Sequence, residues 1–327
     1  MRRIILSLAT LLTLFCGSGA HCIYQYGPVW PTYVAQAPQL LPPGATKLQV
    51  MQVVNDNTAR VTSLSTSNAT ISSPTMPVSL RGNIALERPN RFRLRASHPM
   101  TGPEVDLGSN DQLFWVWLHR EQPPAVYFCH HDQLHSSAAR ERMPIEPKWL
   151  IEALGLTTFD PDGAHSGPRV RRDGSLEILS TLPLPSGHAT AAQANETNKI
   201  TIIDARHGWV LEQHVYRDGR LVASALARDH RYDPLSGVSL PQRVEIHISN
   251  AQYPNGQMTL DIDLGNVQIN SLAGDRDKLW TMPSFSGSSP IDLGQWKPPV
   301  PRTSARPFAT RPDAPATDRQ WNGARRR

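Results

Sequence analysis

The spacing of apolar residues changes along the chain from a helical period to a strand period. Leu48, Met51 and Val54 follow a spacing of three or four residues, and this pattern continues to about residue 61. The spacing places these side chains on one face of an amphipathic helix that packs against a larger body. The folded domain is therefore predicted to begin near Thr46 with a helix whose other face is polar.

After this helix the period becomes two, as in a strand that is buried on one side only. Residues 78–87 alternate apolar and polar side chains, and residues 92–96 do so again after the turn-like segment Arg88-Pro89-Asn90. The alternation predicts an antiparallel hairpin with one apolar face.

The strand at residues 113–118 differs because odd- and even-numbered residues are both apolar, so the side chains on both of its sides are apolar. It follows a turn predicted at residues 108–111 and completes a second hairpin with the strand around Val105. A strand that is apolar on both sides must be covered on both faces of its sheet. We therefore expect the most apolar part of the folded body here.

A second helix and a further run of strands follow. Pro147 stands at a first-turn position, and Gly155 ends an apolar segment around Trp149. Further strand patterns, separated by turn signals, lie at residues 176–179, 199–203, 209–216, 221–228, 243–248 and 258–264. Roughly ten strands and two helices without β-α-β alternation predict a mainly β (α+β) fold. In this fold one curved antiparallel sheet forms a half-open barrel, and the helices plug its concave face.

The first 20 residues have the pattern of a secretory signal. Two arginines precede an apolar run of twelve residues, 4–15, which is shorter than the ~20 that a membrane-spanning helix needs. The small-residue triplet 18–20 follows, so we predict export. Two cleavage sites stay open: after Ala20, or before Cys16, where a bacterial lipoprotein is cut and acylated. Phe15 departs from the small residue that a lipobox carries at its position.

Basic charge is concentrated at the two ends of the chain. The formal net charge is +5, but residues 297–327 alone carry +6, and Arg2 and Arg3 add +2. The part between them is therefore slightly acidic. The folded body therefore has no excess of basic residues with which to bind nucleic acid, and we predict no nucleic-acid partner.

Two segments of unusual composition flank the predicted domain, which spans residues 46–285. Residues 21–45 are rich in proline and lack periodicity, as in an extended spacer. Residues 286–327 form a Pro/Arg-rich tail that cannot bury enough apolar surface to offset its chain entropy, so we predict that it is disordered. Either this tail contacts anionic lipid head groups, or it is a solvated extension without a fixed partner.

The chain has three cysteines. Cys22 and Cys129 remain after cleavage at either site, and they are candidates for one disulfide in an oxidising compartment. No Cys-x-x-Cys motif occurs, so neither a zinc ribbon nor a thioredoxin-type redox motif is predicted.

No motif predicts catalytic residues, metal ligands or a cofactor. His131 and His135 are four residues apart, but no third ligand follows at a regular spacing, so we interpret them as part of a loop at a strand end. Ser109 lies between two strands and not at a strand-turn-helix elbow. Asp261 and Asp263 alternate with apolar residues, as on the polar side of a half-exposed strand. No glycine-rich phosphate loop precedes a helix.

The apolar interior is the candidate binding site. Its candidate lining residues are Phe92, Leu94, Leu113, Phe114, Trp115 and Trp117. Two interpretations stay open: these residues form an ordinary core, or a sheet that is only partly plugged by its helices leaves a cavity for acyl chains. In the second case each methylene removed from water contributes ~0.8 kcal/mol to binding.

The order helix, antiparallel meander, second helix and further meander, behind an export signal, resembles the LolA/LolB-like superfamily of bacterial periplasmic lipoprotein carriers. The resemblance is most marked over residues 55–117, which include the Arg88-Pro89-Asn90 turn and the Gly108 hairpin that leads into Leu113-Phe114-Trp115. It is a match of pattern and topology over residues 46–285. It implies a half-open barrel whose concave apolar face accepts lipid or lipoprotein acyl chains, without catalysis or a metal.

These observations predict an exported protein of the bacterial periplasm or outer membrane that binds acyl chains and is not an enzyme. Attachment to a membrane surface would use lipidation of Cys16 or the basic tail. The alternative function is that of a structural or adhesive envelope protein, which uses the fold as a stable module and the tail as its contact. The sequence does not indicate the cargo or the oligomeric state.

Overall fold

The computed structural model describes residues 35–134, 146–182, 197–249, 256–272 and 274–295. The predicted signal, Cys16, Cys22, His135 and residues 296–327 of the predicted tail lie outside these ranges. The α-helices of the described ranges are α1 (Lys47–Ala59), α2 (Pro147–Ala153) and α3 (Arg276–Leu279). None of these helices is long and apolar enough to cross a membrane.

The strands of the same ranges, in chain order, are β1 (Ser63–Ser72), β2 (Leu80–Glu87), β3 (Arg91–His98), β4 (Gly102–Ser109), β5 (Leu113–Leu118), β6 (Ala125–His130), β7 (Ala164–Val170), β8 (Leu176–Leu182), β9 (Thr197–Ile203), β10 (Val210–Arg217), β11 (Arg220–Arg228), β12 (Arg231–Asp233), β13 (Val238–Leu240), β14 (Arg243–Ser249), β15 (Gln257–Asp263), β16 (Gln268–Ile269) and β17 (Ser289–Asp292).

Helix α1 begins where the sequence predicts because Thr46 caps it. The backbone amide of Gln49 donates to Thr46 Oγ1 at 3.4 Å, and Gln49 Oε1 accepts from the Thr46 amide at 2.9 Å. This reciprocal pair is a capping box. Met51 and Val54 are buried as expected, whereas Leu48 is 66% exposed and lies off the buried face.

Fifteen strands of the described residues form one curved sheet that is not closed into a barrel. The order across the sheet is β17-β6-β5-β4-β3-β2-β1-β15-β14-β11-β10-β9-β8-β7, and β16 pairs with β1. Neighbouring strands are antiparallel, as predicted, except that β17 lies parallel to β6. The predicted fold class is confirmed.

Strand register divides the sheet into two faces. Trp149 and Ile151 of α2 pack on one of them, in a core that also contains Leu86 and Ile246. Helix α1 packs on the same face nearer the β7 end, where Val50 joins Ile178 of β8. We call this helix-bearing side the inner face and the opposite side the outer face.

Two boundaries of the folded part differ from the sequence prediction. Leu41, in the predicted spacer, is buried, and the backbone amides of Leu40 and Leu41 donate to the Arg206 carbonyl at 2.8 and 2.9 Å. At the other end, β17 and the buried Leu293 lie within the predicted tail but belong to the sheet. A strand of four residues that contains Pro290 is too short and too proline-rich to show a period of two.

An aromatic stack lies beside the carboxyl end of α1. The Trp209 ring lies between His207 and His230, with ring centroids 4.3 and 4.9 Å away. Burial lowers the pKa of His230 to about 4, although a backbone hydrogen bond at Val210 and the charge of Asp204 act in the opposite direction. The stacked ring is therefore neutral at pH 7.

We expect His230 to make the protein less stable as the pH falls from about 6.5 to about 4. An unfolded histidine binds its proton near pH 6.5, while the folded His230 does so only near 4. Within this window the unfolded state holds more protons, so acid favours unfolding. Thermal denaturation between pH 4 and 7 should therefore show a weaker pH dependence for His230→Phe, which keeps a stacked ring, than for the native chain. Parallel profiles for the two proteins would contradict this assignment.

Candidate functional site

The six residues predicted to line one apolar cavity do not share a face of the sheet. Alternate residues of a strand point to opposite faces, so the two apolar parities of β5 cannot both line the same cavity. Strand pairing places Leu113, Trp115 and Trp117 on the outer face. Phe92, Leu94 and Phe114 lie on the inner face.

The two tryptophans of β5 are covered by the C-terminal part of the described chain. Trp115 is fully buried, and Trp117 is 6% exposed. The Phe285 ring stacks on Trp117 with centroids 3.8 Å apart, and Met282 packs on the same cluster. Coverage of the outer face of β5 agrees with its apolar pattern, whereas on the inner face Leu118 is 41% exposed. On the outer face the cover is the chain itself.

A buried ion pair lies under this cover. Arg93 Nη2 donates to Asp106 Oδ2 at 2.7 Å and Nε to Oδ1 at 3.2 Å, while Trp115 Nε1 donates to the same Oδ1 at 3.0 Å. Nη1 of Arg93 reaches backbone carbonyls at the end of α3, 3.0–3.3 Å away: those of Lys278, Leu279 and Thr281. The pair therefore ties the C-terminal segment to β3 and β4.

Gly108 makes room for the Trp115 indole. A Cβ atom at Gly108 would lie 2.2 Å from the Trp115 ring, closer than any non-bonded carbon contact. The glycine that the sequence marked as a turn thus allows the indole to lie across β4.

Phe114 packs on the inner side of β5 with Cys129 and Leu293. Burial raises the pKa of the Cys129 thiol to about 11, and the nearby carboxylates of Asp292 and Asp132 add to this effect. Cys22 lies outside the described residues, so the Cys22–Cys129 disulfide stays a prediction.

An aliphatic surface crosses β3, β4 and β5 on the inner face. Leu94 lies opposite Leu107, which lies opposite Val116, and Val105 lies opposite Leu118. Facing side chains on neighbouring strands are in contact, so the five residues form one patch. Leu118 is 41% exposed, and the other four are half-buried. We call these five residues the inner strip.

The alternation along the strands identifies the inner strip, whereas the six candidates rested on the concentration of apolar side chains in two neighbouring strand regions. Leu94 points to the inner face of β3. Leu107 on β4 and Val116 on β5 lie opposite it in turn and point to the same face. The large rings of Trp115 and Trp117 point to the outer face. Of the six predicted residues, Leu94 is the one in the inner strip.

At the other end of the inner face, a cleft of about 700 Å³ opens beside α2. Its lining residues are Lys148, Glu152, Thr158, Phe159, Asp160, Asp162, Gly163, Ala164, His165, Ser180, Thr181, Leu182 and Lys199. Helix α2 contributes two of them, Lys148 and Glu152, which lie four residues apart and hence on one side of the helix. We call this space the α2 cleft.

The floor of the α2 cleft contains a buried ion pair. Lys199 Nζ lies 2.6 Å from Glu152 Oε2, and the two side chains are 6% and 9% exposed. Gln213 holds the adjacent turn, because its Nε2 donates to the Glu152 carbonyl at 3.0 Å. No sequence motif indicates this pair, since its partners are 47 residues apart.

The ring of His165 has a defined tautomer in its neutral form. Nε2 lies 2.7 Å from the Asp160 carbonyl, which can only accept, so Nε2 carries the proton. Nδ1 then accepts from Ser180 Oγ at 2.8 Å. Both ring nitrogens and the serine hydroxyl are thus engaged within the wall of the α2 cleft.

The polar residues singled out in the sequence belong to neither feature, although Ser109 and His131 line a smaller pocket that also includes Lys148. His131 Nε2 contacts the Asn110 carbonyl at 2.7 Å, beside Ser109 at the end of β4. Asp261 and Asp263 are exposed on the outer face, as predicted. Within the described ranges, no three His, Cys, Asp or Glu side chains are arranged to hold a metal ion.

Comparison with known proteins finds similarity among solved structures alone, since no family model and no curated protein matches the chain. An outer-membrane lipoprotein-sorting protein domain from Vibrio parahaemolyticus is 10% identical, covers 70% of this chain and 95% of its own, and has a TM-score of 0.43. A LolA superfamily protein from Nitrosomonas europaea is 12% identical over 71% of this chain and 97% of its own, with a TM-score of 0.40.

A DUF1329 family protein from Desulfovibrio piger is 13% identical, covers 70% of this chain and 98% of its own, and has a TM-score of 0.41.

Proposed function

We propose that this protein is an exported cell-envelope protein that binds the acyl chains of lipids or lipoproteins on the inner strip, without catalysis. The observation that supports this function is the strip itself: five contiguous aliphatic side chains on the inner face, with Leu118 41% exposed. A contiguous exposed apolar patch is a common mark of a binding surface. An acyl chain laid on it gains about 25 cal/mol for each Å² of apolar surface that it covers.

The chemistry of the neighbouring positions supports the same ligand. On β3, β4 and β5 the inner-facing positions carry apolar side chains, apart from His98 and Ser109 at strand ends. No charged side chain interrupts these positions of the described strands. Three neighbouring strands span about 10 Å, so the inner strip can contact part of an acyl chain laid across the strands.

We expect Leu118→Gln to weaken lipid binding about fivefold and so to lower the fraction of protein that carries lipid. Leu118 is 41% exposed, so covering the rest of its side chain contributes about 1 kcal/mol to binding. The measurement is native mass spectrometry of the full chain purified from its own envelope. Leu179→Gln is the matched control, because Leu179 is 39% exposed and lies on the outer face of β8.

Equal lipid occupancy in the two variants would place the lipid elsewhere. Native protein that carries no lipid at all would contradict acyl-chain binding and leave the structural or adhesive function.

Export and anchoring are part of the proposal and concern residues outside the described ranges. The signal-like residues 1–20 support export, and Cys16 or the basic tail would provide contact with a membrane surface. Metabolic labelling with a fatty acid tests the anchor: label on the native chain that disappears in Cys16→Ser indicates lipidation. Absence of label on both indicates cleavage after Ala20.

A further inference from the structure

A polar cleft lies on the outer face of the sheet, on the side opposite to the inner strip. Strands β1, β2 and β3 form one wall, where Ser65 and Ala85 lie in the same cross-strand row as Trp115. Residues 266–272 and α3 form the other wall. We call this space the outer cleft. Its lining residues are Ser65, Thr66, Ser67, Asn68, Asn83, Ile84, Ala85, Arg93, Arg95, Asn266, Gln268, Leu272 and Leu279.

The outer cleft has the size of a small-molecule site and a lining rich in neutral polar groups. Its volume is about 520 Å³, and ligand pockets measure roughly 300–1,000 Å³. Four of the lining side chains carry amides and three carry hydroxyls, whereas none is Asp or Glu. Amides and hydroxyls both donate and accept hydrogen bonds. They therefore match the hydroxyl groups of a saccharide, which also do both.

One amide shapes the outer cleft, and others are available to a ligand. Asn68 Oδ1 accepts from the backbone amide of Asn266 at 2.9 Å, which fastens β1 to the opposite wall. The side chains of Asn83 and Gln268 are exposed, and neither forms a hydrogen bond with a described residue. One lies on each wall, so a ligand between them can bond to both.

The outer cleft also contains a cation that has no counter-ion among the described residues. Arg95 is exposed on β3 and lies opposite Asp106 on β4. Both carboxylate oxygens of Asp106 already accept from Arg93, at 3.2 and 2.7 Å, and no other described carboxylate pairs with Arg95. Because Arg93 and Asp106 neutralise each other, Arg95 gives the cleft one net positive charge.

This guanidinium restricts the ligand to one that carries an anionic group. A guanidinium can bind a carboxylate or a phosphate through two parallel hydrogen bonds. The wall opposite β3 contributes the half-buried Leu272 and Leu279, on which the C–H groups of a sugar ring can pack. The lining thus combines a site for one anion with partners for hydroxyls and an apolar surface.

We propose that the outer cleft binds an anionic saccharide, whose carboxylate or phosphate contacts Arg95 and whose hydroxyls bond to Asn83 and Gln268. The site lies on the opposite face of the sheet from the inner strip, so it does not depend on acyl-chain binding.

Binding of the full chain to an array of immobilised saccharides tests the proposal. The array presents uronic acids beside the corresponding hexoses, and sugar phosphates beside the corresponding free sugars. Acidic members should bind about tenfold more tightly than their neutral counterparts, as expected for one charge-assisted contact. The two kinds of pair distinguish a carboxylate ligand from a phosphate ligand.

Two matched arginine variants separate this site from general surface charge. Arg95→Gln should weaken binding of the acidic members about tenfold and leave the neutral members unchanged. Arg169→Gln is the control, since Arg169 is also exposed but lies on β7 at the far edge of the sheet, and it should leave all binding unchanged. Asn83→Ala should weaken binding of acidic and neutral members alike, by several-fold.

Four results would overturn the assignment. They are an array on which no saccharide binds, equal binding of acidic and neutral members, equal effects of the two arginine variants, and binding of inorganic phosphate as tight as that of a sugar phosphate. Leu118→Gln on the inner strip should leave saccharide binding unchanged, so failure of the proposed acyl-chain function gives a separate result.

Discussion

Arg93→Ala should lower the free energy of unfolding by about 3–5 kcal/mol, the range typical of a broken buried ion pair. The Arg93 and Asp106 side chains are 8% and 6% exposed. Removing the guanidinium leaves the Asp106 carboxylate buried with the Trp115 indole as its remaining partner. It also removes the donor that three backbone carbonyls of the C-terminal segment share.

Denaturant titration followed by tryptophan fluorescence measures this loss. Arg91→Ala is the matched control, since Arg91 lies two residues earlier on β3 and pairs with Asp111 at 2.6 Å. Those two side chains are 37% and 53% exposed, so we expect a loss of at most about 1 kcal/mol. Similar losses of unfolding free energy in the two variants would show that burial of the Arg93–Asp106 pair does not determine how much the pair stabilises the fold.

Lys199→Met should destabilise the fold by a comparable amount, about 3–5 kcal/mol. The methionine fills much of the same volume, but Glu152 then keeps a buried carboxylate without its cation. Because Glu152 lies on α2, we also expect weaker packing of that helix on the inner face. Lys278→Met, at an exposed lysine, should change stability by less than about 1 kcal/mol.

The double variant Lys199→Met/Glu152→Leu separates charge from packing. Replacing both partners of a buried ion pair by apolar residues is often neutral or stabilising, so most of the loss should be recovered in denaturant titration. A double variant as unstable as Lys199→Met alone would mean that the lost stability comes from packing of the lysine stem and not from an unpaired carboxylate.

Local patterns were sufficient to predict two of the helices and most of the strands. The spacing of Met51 and Val54 predicts α1, which begins directly after Thr46, and the alternation in β2 and β3 predicts their pairing. These features depend on residues close together in sequence, and turns keep consecutive antiparallel strands adjacent. The parallel strand β17 was missed because it is short and pairs with a strand more than 150 residues earlier.

The candidate site was predicted in part. The sequence identified β3 and β5 as the most apolar region, and Leu94 belongs to the inner strip. It did not indicate that residues 280–285 cover Trp115 and Trp117, since those residues show no strand or helix period. The α2 cleft was missed as well, because Glu152 and Lys199 read separately as ordinary polar positions of a helix and a strand.

The sequence by itself determined where α1, α2 and most of the strands lie, that both faces of β5 are apolar, and that basic charge is concentrated at the chain ends. These are properties of spacing and composition. Only the tertiary structure decided which face remains partly exposed and which charges become buried. The physical reason is that burial depends on what packs above a strand, and here the covering residues come from distant parts of the chain: α2 on the inner face and the segment after α3 on the outer face.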